Sequence, residues 1–377
     1  MKIFQIHNKY RYFGGEDSVV DEEAKLLTDK NHQVIQLIRD NSRELSSFKD
    51  KLRTFKNLSY SKDSIEILKK EILKHGSPDI VHAHNTFPLW SHSVFDFFNK
   101  KNVPIVMTLH NYRLIWEKLG LFNKDRAKYG YFKDSNISSY IISKFFNKRK
   151  DLLQTVSKFI TLTEFSKKNF SKNMLSDDKL IIKPNFLNHK GNVIKSILTK
   201  DNAIFVSHIS KEKGILTLIK AFEEIDINLN IFGDGPLFEV IKKSRINNIK
   251  LHGNLSRNEV SKFINKSKFL VFPSELYEQF PMTILEAFKE GTLVLASNIG
   301  SIKNIIKDKF NGLLFEPANK LDLISKVKWI MKNPKECDQI ALNANNEFKK
   351  KYSSEENYKQ LLDIYNEAIF EKKNQNY

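Results

Sequence analysis

A chain of 377 residues is longer than one hydrophobic core usually organises, so two domains are expected, and 41% hydrophobic with 12% aromatic residues exclude global disorder. Cys337 is the only cysteine, which excludes an intramolecular disulfide and suits a reducing, cytoplasmic setting. The net charge of +18 is uneven: residues 1–200 carry 36 Lys+Arg against 21 Asp+Glu, and residues 201–377 carry 26 against 23.

That asymmetry implies an anionic partner for the first half, be it nucleic acid, an acidic membrane surface or a phosphorylated substrate; a plain lysine-rich composition is the alternative. The first apolar run, 3–7, is too short for a signal-peptide core. No later segment approaches the roughly 18 uncharged apolar residues of a spanning helix.

In chain order, strand-like runs fall at 3–7, 34–38, 80–83, 105–109, 159–162 and 180–182, with helix-compatible stretches at 18–30, 64–74 and 91–101 between them. Continuous rather than alternating apolar character marks strands covered on both faces, hence a parallel sheet flanked by helices. After Lys183-Pro184-Asn185-Phe186-Leu187-Asn188-His189-Lys190-Gly191, which reads as a linker, the pattern restarts. Strands are expected at 203–206, 229–232, 249–252, 269–272, 293–296 and 313–315, and helices at 216–224, 237–243 and 259–265. From Pro334 the chain reads as helical to its end, with Tyr358, Leu361, Leu362, Tyr365 and Ile369 on one face. The fold class is therefore α/β, two Rossmann-like doubly wound domains whose strand ends face a central cleft.

The segment with most chemical content is Pro273-Ser274-Glu275-Leu276-Tyr277-Glu278-Gln279-Phe280-Pro281-Met282-Thr283-Ile284-Leu285-Glu286. Pro281 suits the first position of a helix and Phe280 its N-cap, where it offers no oxygen to the free N–H groups. An uncapped helix start after a strand suits a bound phosphate. Glu278 falls in the loop and Glu286 inside the helix. On spacing alone, one surface and one helix carboxylate is by far the commoner meaning of such a pair.

Two glutamates separated by seven residues, after Pro-Ser and before Ala-Phe-x-x-Gly, closely resemble the E-x7-E motif of glycosyltransferase family 4. The resemblance runs along nearly the whole chain. Tyr12-Phe13-Gly14-Gly15-Glu16-Asp17 resembles the family's first glycine loop, and Val81-His82-Ala83-His84-Asn85-Thr86-Phe87-Pro88 and Thr108-Leu109-His110-Asn111-Tyr112-Arg113 resemble loops of its acceptor domain. Lys211-Glu212-Lys213-Gly214, Phe232-Gly233-Asp234-Gly235-Pro236 and Gly312-Leu313-Leu314-Phe315-Glu316-Pro317 resemble its donor domain.

The resemblance implies the GT-B fold, with an acceptor-binding domain at 1–186, a donor-binding domain at 187–350 and a C-terminal helix at 351–377 packing back on the first domain. It implies that Glu286 binds the ribose, that Glu278 orients the donor sugar, and that Lys213 pairs with the diphosphate and stabilises the leaving group. Gly14 and Gly15 would let N–H groups approach the diphosphate, or form a plain tight turn. Gly233, Asp234, Gly235, Phe280, Pro281, Met282 and Thr283 complete the donor side. His110, after a strand of the acceptor domain, is expected beside the reaction centre unless it is buried for structural reasons. His84, Asn85, Asn111 and Arg113 are expected on the acceptor side.

Two departures stand out. Where family members often carry Gly-Arg, this chain reads Val206-Ser207-His208-Ile209, so His208 replaces a phosphate-clamping guanidinium or is simply a loop residue. After Arg113 a cysteine-containing loop is replaced by a segment, 118–150, holding nine Lys+Arg against two acidic residues among many aromatics. That composition suits an anionic lipid surface, single-stranded nucleic acid, or a solvated face over buried aromatics.

The expected activity is retaining transfer of a sugar from a UDP- or GDP-linked donor to a saccharide acceptor carried on a lipid diphosphate, in bacterial surface polysaccharide synthesis. The expected setting is cytoplasmic, peripheral to the inner membrane face, without nucleic acid. Since no Asp-x-Asp occupies a nucleotide site and no His/Cys cluster shows metal-ligand spacing, neither metal nor cofactor is expected. A GT-B epimerase, a sugar phosphorylase and a basic nucleic-acid binder are the rival readings.

Overall fold

The computed structural model describes residues 1–9, 14–44, 47, 50, 53–54, 57, 60–115, 153–188, 196–244 and 246–374. The chain divides into two compact units. One holds the described residues up to Asn185 together with those from Glu355 onward, and the other runs Phe186–Ser354.

The first unit contains β1 (Lys2–Lys9), α1 (Gly15–Asp29), β2 (Gln33–Asp40), α2 (Asn41–Glu44), α3 (Lys62–His75), β3 (Ile80–Ala83), α4 (Ser93–Asn99), β4 (Ile105–Thr108), β5 (Lys158–Thr161), α5 (Glu164–Asn173) and β6 (Leu180–Ile182). Its strands pair in parallel in the order β2-β1-β3-β4-β5-β6. Strands β3, β4 and β5 are buried at every residue, as runs covered on both faces must be. The order reverses between β1 and β3. In such sheets that reversal opens a crevice beyond the strands' carboxyl ends.

The second unit contains β7 (Ala203–Val206), α6 (Ile215–Phe222), β8 (Leu229–Phe232), α7 (Phe238–Ser244), β9 (Ile249–Gly253), α8 (Arg257–Lys266), β10 (Phe269–Phe272), α9 (Met282–Lys289), β11 (Leu293–Ser297), α10 (Ile302–Ile305), β12 (Leu313–Phe315), α11 (Lys320–Lys332) and α12 (Pro334–Lys351). The parallel order is β12-β11-β10-β7-β8-β9, with its reversal between β10 and β7. Phe205, Leu218, Phe222, Ile231, Val271, Leu295 and Val327 form one core between this sheet and its helices. Helix α8 starts on a reciprocal cap, in which Ser256 accepts from Glu259 N–H while the Glu259 carboxylate accepts from Ser256 N–H.

The last helix, α13 (Ser354–Asn374), belongs to the first unit. Its Leu361, Ile364, Tyr365 and Ala368 pack against Ile3, Leu27, Ile80, Val106 and Ile160. Lys158 Nζ lies 2.8 Å from carboxylates of both Glu367 and Glu371 on the same helix.

Two expectations are corrected. Helix α9 begins one residue later than its sequence suggests, so Pro281 rather than Phe280 is the N-cap. Lys183, expected in a linker, is fully buried in the first unit. Residues 118–150, Tyr12, Phe13 and the 189–191 part of the expected linker lie outside the described residues.

Candidate active site

In the second unit the switch point gathers the loops after β7 and β10. Lys213 ends a short 3-10 turn, Lys211–Lys213, and Gly214 follows at φ +71°. A Cβ at Gly214 would sit 1.8 Å from the Pro273 carbonyl oxygen, so only glycine lets the two loops meet. Glu275 N–H donates to the Glu212 carbonyl at 2.9 Å across the same seam. This close approach delivers Lys213 Nζ to Glu278 Oε1 at 2.6 Å, and the Ser274 hydroxyl donates to the same oxygen at 2.8 Å. Cation and carboxylate are both half-buried, a setting where charge interactions exceed their value in bulk water.

Helix α9 rises from that loop with no side-chain cap. The N–H groups of Met282 and Thr283 therefore have no partner among the described residues, while the Thr283 hydroxyl donates to the Val206 carbonyl at 3.4 Å. Further along the helix Glu286 is half-buried with Arg257 Nε 4.0 Å away. Burial pushes its carboxyl above the usual range, and Arg257 and Lys289 oppose that rise. Phe280 is buried edge-on against Tyr352, at 5.7 Å between ring centres, so it holds the loop down.

The Gly233-Asp234-Gly235 loop packs on the Ser207-His208-Ile209 loop. A Cβ at Gly233 would lie 2.0 Å from Ser207 O, and one at Gly235 would lie 2.5 Å from Ile209 O. Ile209 N–H donates to Asp234 O at 2.9 Å. These glycines thus serve loop-to-loop contact. Asp234 and His208 are exposed at the rim.

In the first unit a pocket opens at the carboxyl ends of β3 and β4. Its walls include Glu16, His84, Asn85, His110, Asn111 and Arg113. Five of the residues expected on the acceptor side and at the reaction centre thus share one pocket. Asn85 is committed to the loop, donating to Asn8 O at 2.9 Å and accepting from Phe87 N–H at 3.1 Å. Asn111 accepts from Arg113 N–H at 3.1 Å, and the Arg113 guanidinium lies 5.6 Å from the Phe87 ring centre. Gly14 caps α1, where its N–H donates to Asp17 Oδ2 at 2.9 Å, and Gly15 is the first helical residue. Among the described residues a Cβ on Gly14 would meet only that carboxylate oxygen, at 3.9 Å, so none of them demands glycine there by close approach.

Behind the pocket lies a buried polar network that sequence reading missed. His84 Nδ1 is 3.0 Å from His110 Nε2. His84 Nε2 is 3.4 Å from Glu23 Oε1, and Lys183 Nζ is 3.3 Å from Glu23 Oε2. Burial alone would raise the Glu23 pKa, but His82 and Lys183 more than reverse it and hold the carboxyl well below its usual range. Burial drives His84 down to about 3, aided by His82, and drives His110 down as well, so both rings are neutral at pH 7.

Glu23, His82 and His84 each place one donor atom within 4.8 Å of the others, a convergence that no sequence spacing showed. The set is largely spoken for. Tyr365 and Thr108 meet the two ring nitrogens of His82 at 2.7 and 2.8 Å, and the Lys183 ammonium already neutralises Glu23. The sequence signal for Glu23 was its helical spacing with Val20 and Leu27, which puts it on the apolar face of α1. His7 was flagged only as the end of an apolar strand; it bonds Asp17 at 2.8 Å with both side chains fully buried.

Comparison with known proteins matches residues 13–190 to Glycosyltransferase Family 4 and residues 192–347 to Glycosyl transferases group 1. An uncharacterised glycosyltransferase of Methanocaldococcus jannaschii is 28% identical over 97% of this chain and 98% of its own length. A lipopolysaccharide 1,2-N-acetylglucosaminetransferase of Salmonella typhimurium is 30% identical over 40% of this chain and 44% of its own. Among solved structures, the Anabaena protein HepE in complex with UDP and glucose superposes with a TM-score of 0.68 at 15% identity, covering 97% of this chain and 99% of its own. That likeness is one of fold.

Proposed function

Because this chain belongs to the glycosyltransferases, as an enzyme with the GT-B fold, we propose that it transfers a sugar from a nucleotide-diphosphate donor to a saccharide acceptor with retention of anomeric configuration. The observation that carries this reading is the meeting of Lys213 with Glu278 at the foot of an uncapped helix that bears Glu286. A cation, two free N–H groups and two carboxylates are the groups that a diphosphate, a ribose and a sugar require.

Glu286 accepts hydrogen bonds from the ribose hydroxyls, and its raised pKa reflects a desolvated carboxyl that such donors would satisfy. The diphosphate lies on Met282 N–H, Thr283 N–H and the Lys213 ammonium. Glu278 holds the sugar. In the transfer the bond from the anomeric carbon to the diphosphate oxygen breaks, and the acceptor oxygen bonds that carbon on the same face. The departing diphosphate oxygen takes the acceptor's proton. Lys213 and the helix N–H groups offset the charge that builds on the leaving group, with no divalent ion required. His110 contacts a sugar hydroxyl from the acceptor-side pocket.

The acceptor is proposed to be a saccharide on a lipid diphosphate, in surface polysaccharide synthesis. The excess of basic residues before position 200 suits its phosphates and an anionic membrane. HepE, crystallised with UDP and glucose, supports UDP as the first nucleotide to try.

The test is transfer from UDP-glucose, UDP-galactose and UDP-N-acetylglucosamine to lipid-diphosphate-linked saccharide in anionic vesicles, in the presence of a chelator. The anomeric proton coupling of the product is read by NMR. An α-linked product is expected. A β-linked product from these α-donors, or complete loss of activity in chelator, overturns the retaining, metal-independent reading.

A further inference from the structure

We propose that Glu23, acting through His84, is a positioning residue that fixes the proton of His110 on Nε2, so that His110 presents a bare Nδ1 as hydrogen-bond acceptor to a substrate hydroxyl. The part played by substrate rests on the functional reading above. The proton assignment itself does not.

The buried phenol of Tyr365 keeps its proton, since burial and the Glu23 charge push its pKa well above the usual value. That proton goes to His82 Nδ1, 2.7 Å away. His82 then carries its own proton on Nε2 and donates it to Thr108 Oγ1 at 2.8 Å. In this arrangement Glu23 Oε1, although 2.9 Å from His82 Nδ1, receives no proton from it, and the support that a protonated His82 would give the carboxylate falls to Lys183 and His84. The oxygen is fully buried and has no hydrogen-bond partner among the described residues in the orientation recorded. An ionised carboxylate oxygen left that way is costly. The remaining imidazole within reach is His84 Nε2 at 3.4 Å.

With its proton on Nε2, His84 offers a lone pair at Nδ1 and accepts from His110 Nε2–H at 3.0 Å. The two rings are tilted by only 20°, with centres 5.3 Å apart. Nearly coplanar rings at that spacing meet edge to edge through their nitrogens, as an N–H···N bond requires. His110 Nδ1 has no partner among the described residues, and His110 lines the pocket. Lys183 holds the far carboxylate oxygen at 3.3 Å, so Glu23 stays ionised and cannot swing away.

Gln5 supplies the opposing arrangement. Its Nε2 lies 3.3 Å from His84 Nε2, and its Oε1 accepts from Gln36 at 2.9 Å. If Gln5 donated to His84, every proton along the line would reverse and His110 would carry its proton on Nδ1. The full charge of Glu23 favours the first arrangement over a neutral amide, and the Gln5 and Gln36 amides can turn over together.

The measurement is a long-range 1H–15N correlation on full-length protein labelled at histidine nitrogen, at pH 7.5 and without substrate, with signals assigned by His84→Asn and His110→Asn. The expected result is a protonated Nε2 and an unprotonated Nδ1 on His110, and a protonated Nε2 on His84. A proton on Nδ1 of His110 overturns the proposal.

A second arm uses Glu23→Gln/Lys183→Met, which removes both buried charges and so avoids stranding one of them. We expect the uniform His110 tautomer to be lost and kcat to fall roughly 10–100-fold, the range typical of removing an outer hydrogen-bond partner of a metal-bound histidine, with KM little changed. Wild-type kcat in that variant, or a fall in kcat with the tautomer unaltered, counts against positioning. Turnover of His110→Ala tests the functional reading separately.

Discussion

Lys213 and Glu278 illustrate what single residues contribute here. Their 2.6 Å contact holds the ammonium at the helix foot, where the partner proposed for catalysis is the diphosphate. Removing one preorganised group that meets developing charge typically lowers kcat 10²–10³-fold. Lys213→Ala is therefore expected to lose roughly that factor in kcat, measured by initial rates at saturating donor, with an unchanged melting temperature. A loss confined to KM would place Lys213 in ground-state binding alone. Both residues were legible in the sequence because the motif that holds them is long and ordered. Glu23 was not, since Asp21-Glu22-Glu23 reads as a charged outer face, although Val20, Glu23 and Leu27 share the inner one. Lys183 was read as linker because Lys-Pro-Asn is turn-like locally, and only tertiary contact with α1 reveals its partner. Tyr365 was read as apolar, which is true of its ring, while its hydroxyl bonds His82.

Among elements, the strands were the most legible. The bounds of β3, β6, β7, β8, β10 and β12 coincide with the apolar runs, since a strand buried on both faces is bounded where polar residues begin. Helix starts were less so: α1 begins at Gly15, three residues before the apolar pattern does, because Asp17 caps it. The start of α9 was displaced by one residue because Pro281 precedes the helix rather than opening it. Where two loops must touch, the constraint falls on glycine. Gly214→Ala would place a methyl group 1.8 Å from the Pro273 oxygen at a left-handed φ of +71°, so the β7 and β10 loops must part. We expect destabilisation of the second unit by about 1–3 kcal/mol, as strained backbone of this kind costs, and a loss of kcat as Lys213 leaves Glu278. Urea unfolding and kinetics on the same preparation check this. Unaltered stability would show that the seam yields freely.

For the whole molecule, the first unit carries an acid-sensitive core. Folding holds the pKa of His84 at about 3 and lowers that of His110, so between the unfolded value near 6.5 and the folded one the unfolded chain binds more protons. Stability therefore falls as pH drops below about 6.5, at up to roughly 1.4 kcal/mol per unit for each such histidine. Glu23, whose pKa is also depressed, adds a loss that begins lower, below its unfolded value of 4.5. Urea midpoints of the first unit at pH 7.5, 6.0 and 5.0 should decline in step, and His84→Gln should flatten the decline. A midpoint independent of pH in this window would mean that these rings are charged or exposed in the folded state. Among the described residues no helix is long and apolar enough to cross a membrane. The basic segment 118–150 lies outside them, so its bearing on an anionic surface rests on composition.

Thermal unfolding of the full chain with UDP, GDP and their common sugar conjugates, in parallel with Glu286→Ala, probes the proposed donor site without need of an acceptor. A ligand at 100 times its dissociation constant stabilises by about 2.7 kcal/mol, and the expected result is an upward shift with the UDP series that Glu286→Ala abolishes. An equal shift in Glu286→Ala, or no shift with any nucleotide even when anionic vesicles and a lipid-linked acceptor are present, would contradict the assignment of the Glu278–Glu286 segment as the donor site.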